Sequence, residues 1–143
     1  MPKDSLQAGI KFTHRFMVPK NKTVPSLYPE AEEFLGMPEV FATGFLVGLL
    51  EWTCIQAIMP HLDWPHEQSV GTGIDITHCA ATPPGLEVTA RVRLLKVEGR
   101  RLKFAVTAHD GVDAISEGTH ERFLIDRGRF DKKMQEKIAR AVE

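Results

Sequence analysis

Between Glu39 and Met59 the chain is apolar on nearly every side, the pattern of a helix buried all round. Pro38 suits its first turn, Glu39 suits the positive end of its dipole, and Pro60 stops it. Gly44 and Gly48 lie four apart on one face, where a neighbouring backbone can come close. On either side of this helix the period changes to two. Ile10 to Val18 alternates Ile10, Phe12, His14, Phe16 and Val18 against Lys11, Thr13, Arg15 and Met17, which predicts a strand ended by Pro19. Four more strands are predicted over Ser69–Ala80, Leu86–Val97, Arg101–His109 and Val112–Ile125. Glu98-Gly99 marks a tight turn, Asp110-Gly111 a hairpin, and the last strand should be irregular near Gly118 and broken by Gly128. Arg129 to Val142 then reads as a charged amphipathic helix, with Phe130, Met134, Ile138 and Val142 at spacing four. The segment from Lys20 to Pro38 holds Pro25, Pro29, Gly36 and Pro38, so no long element fits it. It still carries Val24, Leu27, Tyr28, Phe34, Leu35 and Met37, which predicts a lid packed over something, with one helical turn near Glu30–Leu35.

The order is one strand, one long helix, then four consecutive antiparallel strands. A curved antiparallel sheet wrapped around the helix satisfies it, which is the α+β hotdog architecture; another α+β sandwich is the alternative. Residues 1–143 are expected to form one domain, with the lid at about 20–38 and the C-terminal helix at about 129–142. Such a sheet leaves a helix flank and an edge to be covered, so a homodimer is expected.

Composition narrows the partners. The chain is 43% hydrophobic and 26% charged, ordinary for a globular protein, and its net charge of −1 gives no footprint for general nucleic-acid binding. The central apolar run reaches only about half the roughly 20 residues of a membrane span before Glu51 interrupts it, so no membrane insertion is expected. Lys3, Asp4 and Lys11 leave no continuous apolar stretch for a cleavable signal peptide. Cys54 and Cys79 have neither metal nor disulfide spacing, and the chain is expected to be cytoplasmic, without a metal. His14, His61, His66, His109 and His120 also lack ligand spacing and read as surface or turn residues.

The chemistry-bearing feature is Glu51, the only charge between Val40 and Pro60, with Thr43 eight positions earlier on a slowly drifting helix side. A carboxylate in a core is paired, neutralised or functional. It can serve as general base or nucleophile; it can equally be a structural partner of Arg122. Thr43 alone is as readily a packing residue, His78 a hydrogen-bonded sheet histidine, and Gly71 and Gly73 a bulge.

Several longer runs carry a resemblance. They are Leu27-Tyr28-Pro29-Glu30, Pro38-Glu39-Val40-Phe41-Ala42-Thr43-Gly44-Phe45, Glu51-Trp52, Thr77-His78, Ala80-Ala81-Thr82-Pro83-Pro84-Gly85-Leu86, Val97-Glu98-Gly99-Arg100-Arg101-Leu102, Ala108-His109-Asp110-Gly111-Val112-Asp113 and Gly118-Thr119-His120-Glu121-Arg122. Over about Phe12 to Arg122 the chain resembles the fluoroacetyl-CoA thioesterase family. The resemblance implies a dimeric hotdog thioesterase acting on a small acyl-CoA, with coenzyme A as part of the substrate, no other cofactor and no metal. It implies a catalytic group of Thr43, Glu51 and His78, with Gly71 and Arg122 meeting the substrate or its oxyanion. Val24, Leu27, Phe34 and Met37 would line the acyl pocket and lid. One departure stands out: where the family places two phenylalanines in the lid, Phe34 matches the first and Met37 stands at the second. The other functions such a fold allows are a hotdog dehydratase or isomerase, a non-catalytic acyl-CoA sensor, and a thioesterase for a different small acyl-CoA.

Overall fold

The computed structural model describes residues 1–142. Five strands, β1 (Lys11–Met17), β2 (Glu67–Ile76), β3 (Glu87–Glu98), β4 (Arg101–His109) and β5 (Ala114–Asp126), form one antiparallel sheet in the order β1-β3-β4-β5-β2. The alternation expected from the sequence is realised. Val88, Ala90, Val92 and Leu94 on β3, and Leu102, Phe104, Val106 and Ala108 on β4, turn inward and are buried. Helix α2 (Thr43–Ile58) lies across that face and buries Leu46, Leu49, Leu50, Thr53, Cys54, Ala57 and Ile58. This is the α+β hotdog arrangement. On length and composition alone the helical segment Thr43–His61 could cross a bilayer; here its apolar side is the lining of the sheet.

Helix α2 starts four residues later than the periodicity suggests. Pro38 and Glu39 do not form its first turn, because the next three residues bond elsewhere. Val40 O accepts from Val24 N, Phe41 N donates to Thr82 O and Ala42 N donates to Lys22 O. Phe41 also forms a bridge with Thr23. An apolar run cannot by itself show that its first residues are needed as an extended strap between two loops. Gly48 differs as well: a side chain there would meet nothing within 4 Å, so no backbone approaches it within the chain.

The lid consists of two short 3-10 turns, Lys20–Lys22 and Val24–Ser26, followed by α1 (Glu32–Leu35). It sits over the N-terminal end of α2. Leu27 Cδ1 comes within 3.0 Å of where a Gly44 side chain would begin, so Gly44 is the floor on which the lid rests. Tyr28 stacks on Phe34 at 5.9 Å, and Lys22 Nζ lies 5.0 Å from the Phe45 ring centre.

At the other end, β5 runs as one strand through Gly118, and the irregularity expected near it falls just before, where the register on β4 shifts between Ser116 and Ala114. A side chain at Gly118 would strike the Asp75 carbonyl, so glycine allows β2 to close on β5. Nor does Gly128 interrupt the chain. Asp126 Oδ1 accepts from Arg129 N at 3.0 Å and caps α3 (Arg127–Ala141), so the strand passes into the helix directly.

Candidate active site

Two polar centres lie along α2. The first is at its N-terminus, where Thr43 Oγ1 is 2.7 Å from His78 Nδ1. His78 follows β2, and its neighbours hold it in line: Thr77 N donates to Glu117 O and Cys79 N to Ile115 O. The bond to Thr43 shows that the His78 side chain lies over the start of α2. The loop after it is anchored by Thr82 Oγ1, which donates to Asp110 Oδ2 at 2.8 Å. Burial lowers the His78 pKa, so the ring is neutral at pH 7, and its Nε2 is buried without a hydrogen-bond partner. Ala42, the N-cap of α2, has no side chain able to cap the first turn.

The second centre is Glu51. It is not fully buried: its side chain is 37% exposed. Its Oε1 accepts from Arg122 Nη1 at 3.1 Å and lies 4.0 Å from His120 Nε2. The pairing with Arg122, one of the two readings the residues left open, is therefore present. Arg122 is 3% exposed, and each of its three guanidinium nitrogens is engaged. Its Nε donates to Ser69 Oγ at 2.8 Å, its Nη2 to Ser69 O at 2.9 Å, and its Nη1 also meets His120 Nε2 at 3.0 Å. A side chain on Gly71 would collide with Glu51 Oε1 and touch His120 Cε1 at 3.3 Å. The register of β2 against β5 shifts between Gly71 and Gly73, a bulge that sets the glycine backbone against the carboxylate.

Of the expected site residues, the structure thus joins Thr43 with His78, and Glu51 with Gly71 and Arg122. It does not join the two groups within one chain. Eight residues of helix separate Thr43 from Glu51, about 12 Å along the axis. Val24, Leu27 and Phe34 are partly buried in the lid, and Met37 is 50% exposed at its end. Among the described residues no three His, Cys, Asp or Glu side chains converge as a metal ion would require.

His120 corrects the sequence reading. It is no surface or turn residue but 2% exposed, packed over Phe104 at 6.5 Å and bonded through Nδ1 to Gly73 O at 2.6 Å. His14 also departs from that reading, lying half-buried with its ring edge-on to Trp52 at 4.2 Å. Ser69 was missed entirely. For His120 a signal existed: it shares strand parity with Arg122 and Leu124, both of which face inward.

Within the hotdog fold, a half-exposed carboxylate held at mid-helix and a threonine–histidine pair at the helix start make up the candidate site. The family model described as fluoroacetyl-CoA-specific thioesterase matches residues 18–128, and the chain belongs to this family. It is 56% identical over 135 residues to the fluoroacetyl-CoA thioesterase of Streptantibioticus cattleyicolor, covering 94% of this chain and 96% of that protein. A solved structure of the fluoroacetyl-CoA thioesterase FlK superposes with a TM-score of 0.90 at 56% identity, over 94% of this chain and 98% of that one. A variant of that enzyme solved with fluoroacetate and CoA matches at 58% identity with a TM-score of 0.85, over 87% and 99%. The protein is accordingly a thioester hydrolase.

Proposed function

We propose that this protein hydrolyses fluoroacetyl-CoA or a similarly small acyl-CoA to the free acid and CoA. The observation that carries the proposal is the Glu51 carboxylate. Arg122 holds Oε1, while the half-exposed side chain leaves Oε2 for chemistry. That oxygen either attacks the thioester carbon, giving a mixed anhydride, or takes a proton from the attacking water. Single turnover in oxygen-18 water tests the first: label entering Glu51 assigns an anhydride opened at the Glu51 carbonyl. The Gly71 backbone, bare beside the carboxylate, is the proposed donor to the developing oxyanion. Thr43 and His78 receive the acyl end. The uncapped first turn of α2 favours negative charge there, and the unpartnered His78 Nε2 meets the substrate or the leaving thiolate.

The separation of the two centres supports a homodimer in which Thr43 and His78 of one subunit work with Glu51 of the other. Helix α2 presents Gly48 and the 47%-exposed Trp52 on its open side, and the edge strand β2 presents Ile74 at 43%. Chains carrying Thr43→Val, about tenfold weakened alone, and chains carrying Glu51→Gln, weakened at least a hundredfold alone, are expected to reach about a quarter of wild-type activity when refolded together; a mixture no more active than Thr43→Val alone would sink the shared site. Both cysteines are free, which fits a reducing, cytoplasmic compartment.

The direct test is thiol release from fluoroacetyl-, acetyl- and propionyl-CoA. A strong preference for fluoroacetyl-CoA would make detoxification the role and show that Met37 serves in the lid as a second phenylalanine would. Comparable rates would leave a general short-chain thioesterase, and binding without turnover would leave a sensor. Small apolar differences are worth only about 1–3 kcal/mol, so Met37→Phe is expected to change the fluoroacetyl-to-acetyl ratio more than either rate.

A further inference from the structure

We propose that His120 is a positioning residue for Glu51: held as a neutral imidazole, it accepts from Arg122 and, with Ser69, fixes the guanidinium on which the carboxylate rests. This inference deepens the thioesterase reading and rests on the role given there to Glu51.

The partners of the ring settle its protonation. Gly73 O, 2.6 Å from Nδ1, can only accept, so Nδ1 carries the hydrogen. Arg122 Nη1, 3.0 Å from Nε2, can only donate, so Nε2 is bare. The ring thereby ties the bulge of β2 to the arginine of β5. It also fixes the direction of Nη1, which bridges Nε2 and Glu51 Oε1. Ser69 holds the opposite side of the same guanidinium through Oγ and its carbonyl. Arg122 is thus clamped from two sides, and the carboxylate is aimed without touching either clamp. Packing over Phe104 leaves the ring little freedom to turn.

A second proton on the ring would place an N–H against the Arg122 N–H groups and let the imidazolium compete for Glu51 Oε1, 4.0 Å away. The charged or titratable groups around it are Glu51 from α2 and Arg122 and Glu121 from β5, with Cys54 of α2 near the Glu51–Arg122 pair. From β2 the ring meets the Gly73 carbonyl, and from β4 it meets Phe104. Burial, which pushes the Cys54 thiol up to about 12, keeps it neutral throughout. Burial first, with Arg122 adding to it, holds His120 below the ordinary histidine value of 6.5, against the opposing pull of Gly73 O and the carboxylates. The clamp therefore persists at neutral pH and releases only in acid.

Three full-length proteins test this: wild type, His120→Asn and His120→Gln. Asparagine keeps a donor for Gly73 and loses the acceptor for Arg122; glutamine restores a neutral acceptor that cannot titrate. With fluoroacetyl-CoA, His120→Asn is expected to lower kcat about tenfold with KM within about twofold. His120→Gln is expected to recover most of kcat and to lose one ionisation from the acid limb, leaving that of His78. Unchanged kcat and an unchanged acid limb in both variants, with an active wild type, would overturn the proposal and leave the thioesterase standing. A wild type releasing no thiol from any short acyl-CoA would instead overturn the reaction. Nitrogen-15 NMR of the imidazoles reads the clamp independently of turnover. Nδ1 protonated and Nε2 bare at pH 7 supports it, and the opposite tautomer overturns it.

Discussion

The two polar centres along α2 are built on opposite plans. At the N-terminus Thr43 and His78 make one hydrogen bond to each other and leave Nε2 unpartnered. Two turns on, Glu51 rests on Arg122, which is itself held by Ser69 and His120, with Gly71 closing the other side. The difference teaches where each side chain gets its precision. A carboxylate on a flexible stem needs a rigid partner to be aimed, and a buried guanidinium needs every N–H satisfied before it can be that partner. A short threonine on a helix start is aimed by the backbone and needs only the one bond to His78.

Glu51→Gln breaks the comparison most severely. It keeps the shape and removes the charge, so thiol release is expected to fall at least a hundredfold, while the melting temperature changes little. Full activity would show that the clamp is structural only. Gly71→Ala comes next. Its new methyl must displace the carboxylate, and a misplacement of about 1 Å is worth about a hundredfold in kcat; a normal kcat would mean that Glu51 functions in another position. Arg122→Met should show in stability as well as rate. Removing one partner of a fully buried pair costs about 3–5 kcal/mol, but Glu51 can reach water, so about 2 kcal/mol is expected by denaturant titration.

At the open end the effects should be smaller. Thr43→Val is expected to lower kcat about tenfold and Thr43→Ser only a few-fold, with unfolding midpoints unchanged because Thr43 is exposed. Equal losses at the two ends would remove the contrast. The smallest effect is in stability against pH. His14, His78 and His120 are all lowered by burial, so the unfolded chain binds protons that the folded chain refuses. Stability should then fall as pH drops through about 6.5 and level off below the folded values. A flat stability between pH 7 and 5 would contradict the neutral, buried histidines.

Much of this was legible in the sequence, because strand alternation, turn residues and an all-round apolar helix are local patterns, each read within about ten residues. β4 begins and ends where its alternation does. Asp110-Gly111 makes its turn because Asp110 Oδ1 accepts from both Val112 N and Asp113 N, two bonds set within four consecutive residues. Glu51 was conspicuous because charge is costly in an apolar run. The composition of the chain likewise determined that Glu51 would need a partner.

Only the tertiary structure decided which partner, and at what exposure. Arg122, 71 positions away, reaches Glu51 through the register of β2 on β5 and the bulge at Gly71–Gly73. His120 and Ser69 became parts of the site through that same register. The start of α2 was likewise set from outside the helix, by lid and loop groups that took the hydrogen bonds of residues 40–42. Local pattern specifies which face of an element turns inward. Which side chains meet there depends on strand pairing across long sequence separations, where no periodicity carries the information.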